Sequence, residues 1–549
     1  MLVLLLSMLA CDCGNAFECN GAKAPGDVAE VVGRALELIR ATPKTSRDYV
    51  RVEFAALLVC VGRVDAAQQV AKDVSEPLPR DAFHDMLALR YAATGGIQKS
   101  LDVARSGGIL ADVAGEIAIY QAKQGDVGGA RRTVKLAGNE QRRASAKLVI
   151  AKYQAEAGDR QSAKALIDST LSNLGEDVEI EQLNTELTVA YGWAREEAKW
   201  NELVEQLLGS YVAIRHEDEL RKIAVEAVKA GMVVQGISLA TQSLDGYHQT
   251  IALEEIFDSL LKKGDERVAL DILYGPSADN ADWRDQPLHQ LARWYLANGR
   301  RRDADERICD IEYVPTRIEG LIDLAMARKA AGEPAKAIQC VGEGYSLLDE
   351  WDREATRPHA LRLAECIAKL ARVQISLLHV QEAELQIQRA IGILRNCNYA
   401  EEPGVYFDGP FQPIVDAQIE LRDFTGARKT LEFARATFEK LALTPWEKRA
   451  SNDHIAKCYA ELGNLDEAIR VANFGGQPGL ESAYRLVARW LGSNGRAADA
   501  MTWIEKHVPE KMKLFAYASL AQGLLDMRHV PCQLWREDGP SPFLRKRGN

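Results

Sequence analysis

The chain has 549 residues, room for about three or four ordinary domains or for one long repeat array. An apolar share of 47% with 27% charged residues excludes a disordered chain, and 68 Lys plus Arg against 79 Asp plus Glu (net charge −11) argues against a nucleic-acid binder held by a global positive field. Few prolines (18) and 7% aromatics lean toward helix, and no apolar run approaches the ~20 residues of a membrane-spanning helix.

Residues 1–26 read as an apolar leader. LVLLLSMLA (2–10) has the length of an export signal's centre, but no Lys or Arg precedes it. Cleavage after Ala16, with Gly14 and Ala16 as the small residues, is one outcome. Lipidation of Cys11 within MLAC, as in a bacterial lipoprotein, is another and would make Cys11 a lipid anchor. The location expected is exported or cell-envelope, with a mis-set start or plain apolar end in a cytoplasmic protein as the alternative. Three of the ten cysteines crowd this end, the rest are dispersed, and no CxxC pair supports a zinc knuckle or a thioredoxin-type site.

From there a short phrase recurs: QAKQGDVGGA at 121–130, QAEAGDRQSA at 154–163, LLKKGDERVA at 260–269, YLANGRRRDA at 295–304 and YAELGNLDEA at 459–468. Its glycine falls at Gly62, Gly95, Gly125, Gly158, Gly231, Gly264, Gly299, Gly332, Gly463 and Gly495. Neighbours are 30 to 35 residues apart except across two gaps, which take further units with weaker turns near Lys199, Leu378 and Arg422. Five residues after the anchor stand Ala67, Ser100, Ala130, Ala163, Gly236, Ala269, Ala304, Ala337, Ala468 and Ala500. Seven before it, every unit but the one with Phe257 has alanine.

This pattern predicts paired antiparallel helices. Apolar residues step by three and four around each anchor, as in Leu148, Ile150, Ala151 and then Ala163, Leu166, Ile167. The glycine ends the first helix in a left-handed cap, and a following Asp or Asn (Asp126, Asp159, Asp265, Asn464) caps the second. The two small residues let the helices approach closely, and pairs must stack into a solenoid to bury their apolar faces.

The arrangement resembles the tetratricopeptide repeat family: a small residue in the first helix, an aromatic, a Gly-Asp or Gly-Asn turn, then an alanine in the second helix. Residues 449–475 match best through Ala456, Tyr459, Gly463, Asn464 and Ala468. Tyr91 and Tyr295 keep the aromatic, whereas Gln121 and Gln154 replace it, and the family's tryptophan and inter-unit proline are mostly absent. The resemblance implies an all-α fold, an α-solenoid of about 13 antiparallel helix pairs in a right-handed superhelix, over residues 27–528.

Three stretches interrupt the array: 275–287, the unit around 345–358 with a longer second helix carrying Trp351, and NCNYAEEPGVYFDGPFQP at 396–413. The last is either a contact loop with exposed aromatics or a loop folded over the solenoid edge. Residues 529–549 read as an irregular tail or truncated repeat.

No HExxH, GxSxG, Walker or GxGxxG motif appears, and the nine histidines have no ligand spacing, so neither a catalytic site nor a metal or cofactor is expected. Glu254 and Asp258 lie one turn apart, as the solvated face of a helix commonly has them. In the resembled family the first helices line the concave groove. Six residues before the turns stand Trp193, Arg293, Met326, Arg372, Lys457 and Arg489, the candidate partner-binding residues, with Asp258 and Asp416 among the other occupants. They suit an acidic or extended peptide, unless the arginines pair with acids of neighbouring helices. The function expected is a non-enzymatic protein–protein interaction scaffold. A helical-repeat RNA-binding protein and an α/α-barrel carbohydrate-processing enzyme are the alternatives.

Overall fold

The structure, a computed structural model, describes residues 26–41, 51–52, 54–55, 58–59, 64–72, 74, 77–175, 178, 183–209, 217–244, 246–274, 283–354, 360–399, 409–441, 443–473 and 477–527. The leader with Cys11 and Ala16, the anchor Gly62, most of 275–287, the middle of 396–413 and the tail 529–549 lie outside them. The described residues form 27 α-helices and no strand. The chain is an all-α helical-repeat solenoid.

Its unit is the helix hairpin. Pro77–Ala93 pairs with Ile97–Ser106, Leu110–Lys123 with Val127–Thr133, Glu140–Glu156 with Arg160–Ser172, and Asn184–Ala194 with Glu197–Gly209. Further along, Asp285–Ala297 pairs with Arg301–Cys309, Val314–Ala330 with Pro334–Glu354, Ala360–Ser376 with Val380–Asn396, Phe411–Glu420 with Phe424–Lys440, and Pro445–Glu461 with Leu465–Ala472. Pro334–Glu354, at 21 residues, is the lengthened second helix expected near Trp351.

One set of backbone hydrogen bonds closes these turns. The residue after the anchor donates its N–H to the carbonyl five positions back, as Asp126 does to Gln121 (2.9 Å), Asp159 to Gln154 (3.1 Å) and Asn464 to Tyr459 (2.9 Å). Such a closure needs a left-handed residue at the anchor. Nine of the anchor glycines have φ between 70° and 98°. Leu378 (67°) and Arg422 (61°) take the same conformation without glycine, as expected from their spacing. The third weak turn is corrected: the left-handed residue is Arg195 (φ 60°), four positions before Lys199, and Glu196 donates to Tyr191 there.

Both small positions are where close packing requires them. Ala88, Ala118, Ala151, Ala224, Ala325, Ala456 and Ala488 are fully buried before the turns; Ala130, Ala163, Ala269, Ala304, Ala337, Ala468 and Ala500 are fully buried after them. With Arg195 as anchor, Thr188 takes the earlier place and Trp200 the later one, both buried. The bulk of Trp200 is accommodated by Gly192, where a Cβ would lie 3.2 Å from the indole.

The departures from the resembled pattern have a physical basis. Where the aromatic is missing, glutamine holds the cap: Gln121 Nε2 donates to Asp126 (3.3 Å) and Gln154 Nε2 to Asp159 (3.0 Å), while those carboxylates accept from the N–H groups of Gly129 (2.8 Å) and Ser162 (3.1 Å).

The chain divides into two compact units. One takes residues up to Val233 and those from Tyr484 on; the other takes Val234–Ala483. Within each, successive first helices adjoin. In the first unit the N-terminal helix Gly26–Ala41 packs on the C-terminal helix Glu510–Met527, and Arg34 bonds Glu505 at 2.9 Å. Gly492 and Gly523 mark a backbone-to-backbone contact there; a Cβ at Gly523 would overlap the Arg489 carbonyl.

Candidate interaction surface

The six-before-turn places define one row on the first helices of each unit. In the second unit it runs Asp258, Arg293, Met326, Arg372, Asp416, Lys457 over six successive adjoining helices, each residue at the same offset from its turn. In the first unit the row is Leu89, Ile119, Lys152, Val189 and Val225, apolar but for one lysine. Arg489 holds the same place on the part of Gln477–Ser493 that belongs to the first unit.

The second unit's row is polar and largely self-paired. Arg372 donates from Nε and Nη2 to Glu420 (2.9 and 2.7 Å) and from Nη1 to Asp416 (3.0 Å). Burial pushes the Asp416 carboxyl up, against the pull of Arg372; burial and Asp416 push Glu461 up as well. Carboxylates therefore outnumber the guanidinium here, and the neighbour pairing that the sequence left open is present. Arg293 is 67% exposed and lies 3.5 Å from Asp323, which also meets His289 Nε2 at 2.9 Å. Met326 is 42% exposed beside the Ser376 hydroxyl. Lys457 is half-buried. Asp258 pairs with Lys262 along its own helix, as a solvated face would.

Trp193 belongs to a different arrangement. Once the turn moves to Arg195 it leaves the row. Its ring packs against the Leu187–Leu203 core, while Nε1 donates to Glu226 Oε2 at 2.9 Å. Glu226 also bonds Lys152 (2.7 Å) and Lys229 (3.1 Å), and the Lys152 ammonium lies over the Tyr153 and Trp193 rings. Burial raises the Glu226 pKa, but the two lysines and the indole N–H outweigh it and hold the carboxyl at about 2. Glu226 was not legible as a partner because its helix is one repeat beyond Trp193.

Among the described residues no group of three or more His, Cys, Asp or Glu side chains is placed to hold a metal ion, and no helix is long and apolar enough to cross a membrane. No protein-family model and no curated protein matches the chain. Solved structures that it is similar to include a pentatricopeptide repeat protein, PPR10, from maize (15% identity over 91% of this chain and 81% of that one, TM-score 0.26). Others are the APC/C hetero-tetramer Cut9–Hcn1 (13%, 88% and 96%, TM-score 0.26) and Naa15/Naa10 bound to HypK-THB (12%, 91% and 89%, TM-score 0.23). The class of protein is defined by the turns and crossings above: a helical-repeat chain whose hairpins resemble tetratricopeptide repeats.

Proposed function

We propose that the chain is a non-catalytic interaction scaffold, and that the second unit's row of first-helix residues takes an extended peptide segment of a protein partner. The observation behind this reading is the equivalence of that row: Arg293, Met326, Arg372 and Lys457 recur at one offset on adjoining helices, a repeated grid suited to an extended chain. Arg293 and Met326, the two well-exposed members, supply an anion contact and an apolar contact. Arg372 is engaged by its own carboxylates, so it offers a neutralised or acidic stretch to the partner. Trp193 acts through Glu226 as a brace of the first unit, and Arg489 extends the proposal to that unit's own first-helix face.

Affinity capture from native extract, with Arg293→Glu/Met326→Asp as the comparison, tests it. The partner segment should be lost from the double variant while helicity by circular dichroism stays the same. Equal capture by both proteins removes the reading.

A further inference from the structure

We propose that the first unit carries an anion-binding cavity, separate from the first-helix row, whose ligand is a small molecule bearing two or more phosphate groups. The cavity, about 510 Å³, is lined from the helix Val127–Thr133 with its 3₁₀ extension Val134–Leu136, from the start of Glu140–Glu156, and from Arg160–Ser172 and the residues just after it. Among the described residues its lining includes Arg131, Arg132, Lys135, Arg143 and Lys147 against one carboxylate, Glu140. That is a concentrated positive field in a chain of net charge −11.

These cations are left unspent by the fold. Elsewhere in this unit Lys152 pairs with Glu226, Arg142 with Asp112, and Lys164 with Glu196 and Asp168. Around the cavity, Arg131 donates to the neutral amide of Gln154 (2.8 Å) and makes no ion pair, the Asp159 carboxylate beyond that amide feeling it only through the Coulomb field. The side chains of Arg132, Lys135, Arg143 and Lys147 have no ion pair or hydrogen bond among the described residues. Glu140 is turned toward Gly175, where a Cβ would come within 3.0 Å of it, and bridges neither Arg143 nor Lys147.

Arg143 and Lys147 are half-buried and one helical turn apart. Like charges at that spacing repel, and partial burial without a partner adds a desolvation cost. A bound polyanion relieves both. Guanidinium forks match phosphate oxygens in a way that single ammonium charges do not, and three of the five cations are arginines. Val134, Ala144, Leu166 and Leu174 add apolar wall, and the volume falls in the ~300–1,000 Å³ range of small-molecule pockets.

The site is distinct from the row. Arg143 and Lys152 are nine residues apart on one helix, two and a half turns at 3.6 residues per turn, and so face opposite sides. It also stands independently of the peptide-binding reading.

Calorimetric titration of the full chain with pyrophosphate and with inorganic phosphate, at low and high salt, tests the proposal. Pyrophosphate should bind more tightly than phosphate and weaken with salt, and Arg143→Gln/Lys147→Gln should lower its affinity by about tenfold or more. Should that variant lose helicity, the exposed pair Arg132→Gln/Lys135→Gln serves in its place. No pyrophosphate binding at millimolar concentration, or undiminished affinity in a folded variant, overturns it. So does a single-stranded RNA or an acidic peptide that binds these residues while pyrophosphate fails to displace it.

Discussion

Ser100 donates its hydroxyl to the carbonyl oxygen of Ala88 at 2.6 Å, across the two helices of one hairpin, at the point where they cross. Ser100 stands five residues after the turn and Ala88 seven before it, so this bond joins the two small positions that recur along the chain. In the hairpins with Ala118 and Ala130, Ala151 and Ala163, Ala325 and Ala337, and Ala456 and Ala468, two buried methyl groups take that place.

Enlarging either side of a crossing should therefore wedge it open. Ala151→Leu and Ala337→Leu should each cost about 1–3 kcal/mol by overpacking, whereas Ser100→Ala should cost about 1 kcal/mol, the worth of its hydrogen bond. Amide exchange localised to the affected hairpin reads both effects.

The turns yield a pair of opposed predictions. Gly158 has φ 98° and open space where a Cβ would go, so Gly158→Ala pays only the conformational cost, about 1–2 kcal/mol. Leu378 sits in the left-handed region with its side chain 87% exposed, so Leu378→Gly gives up little packing and should be neutral or stabilising by up to about 1 kcal/mol. Denaturant unfolding of the two variants checks the sign of each.

Glu226 gives a pH prediction. Its pKa of about 2 lies below the ordinary 4.5, so the stability it contributes is complete above pH 4.5 and is lost as pH falls toward 2. Glu226→Gln leaves Lys152, 18% exposed, without its partner and should cost about 1–3 kcal/mol at neutral pH. The gap between wild type and variant should shrink steadily below pH 4.5. A gap that stays constant down to pH 2 contradicts the pairing.

At the C-terminal end, Gly523→Ala should destabilise by more than a usual small-to-large change, because the obstacle is the Arg489 backbone and not a flexible side chain. Loss of protection in both Glu510–Met527 and Gly26–Ala41, which pack together, is the expected signature.

Most of this architecture was legible because each turn is chemically marked. Glycine at a left-handed position, an Asp or Asn cap and alanine at two fixed offsets report local backbone needs that few other residues meet. Legibility failed where the marker was absent. Arg195 has no feature that announces positive φ, and Trp200 occupies an alanine position because Gly192 makes the room from the opposite helix. That one displaced turn takes Trp193 out of the six-before-turn place, which Val189 holds. Arg372 was correctly placed at its offset, but its pairing with Glu420 and Asp416 depends on the packing of a helix some 40 residues away in sequence. The basic cavity is visible in sequence only as two local clusters, Arg131–Lys135 and Arg142–Lys147, whose convergence comes from stacking one hairpin on the next.

Amide hydrogen exchange along the whole chain tests most directly that it is a tandem array of helix hairpins. Slow exchange should flank each crossing, at Ala118 and Ala130, Ala151 and Ala163, Ala325 and Ala337, Ala456 and Ala468. Fast-exchanging segments should recur at the openings of the second helices, at residues 127–128, 160–161, 335–336 and 465–466. Unbroken protection through those openings, or rapid exchange at the alanines, would contradict the account.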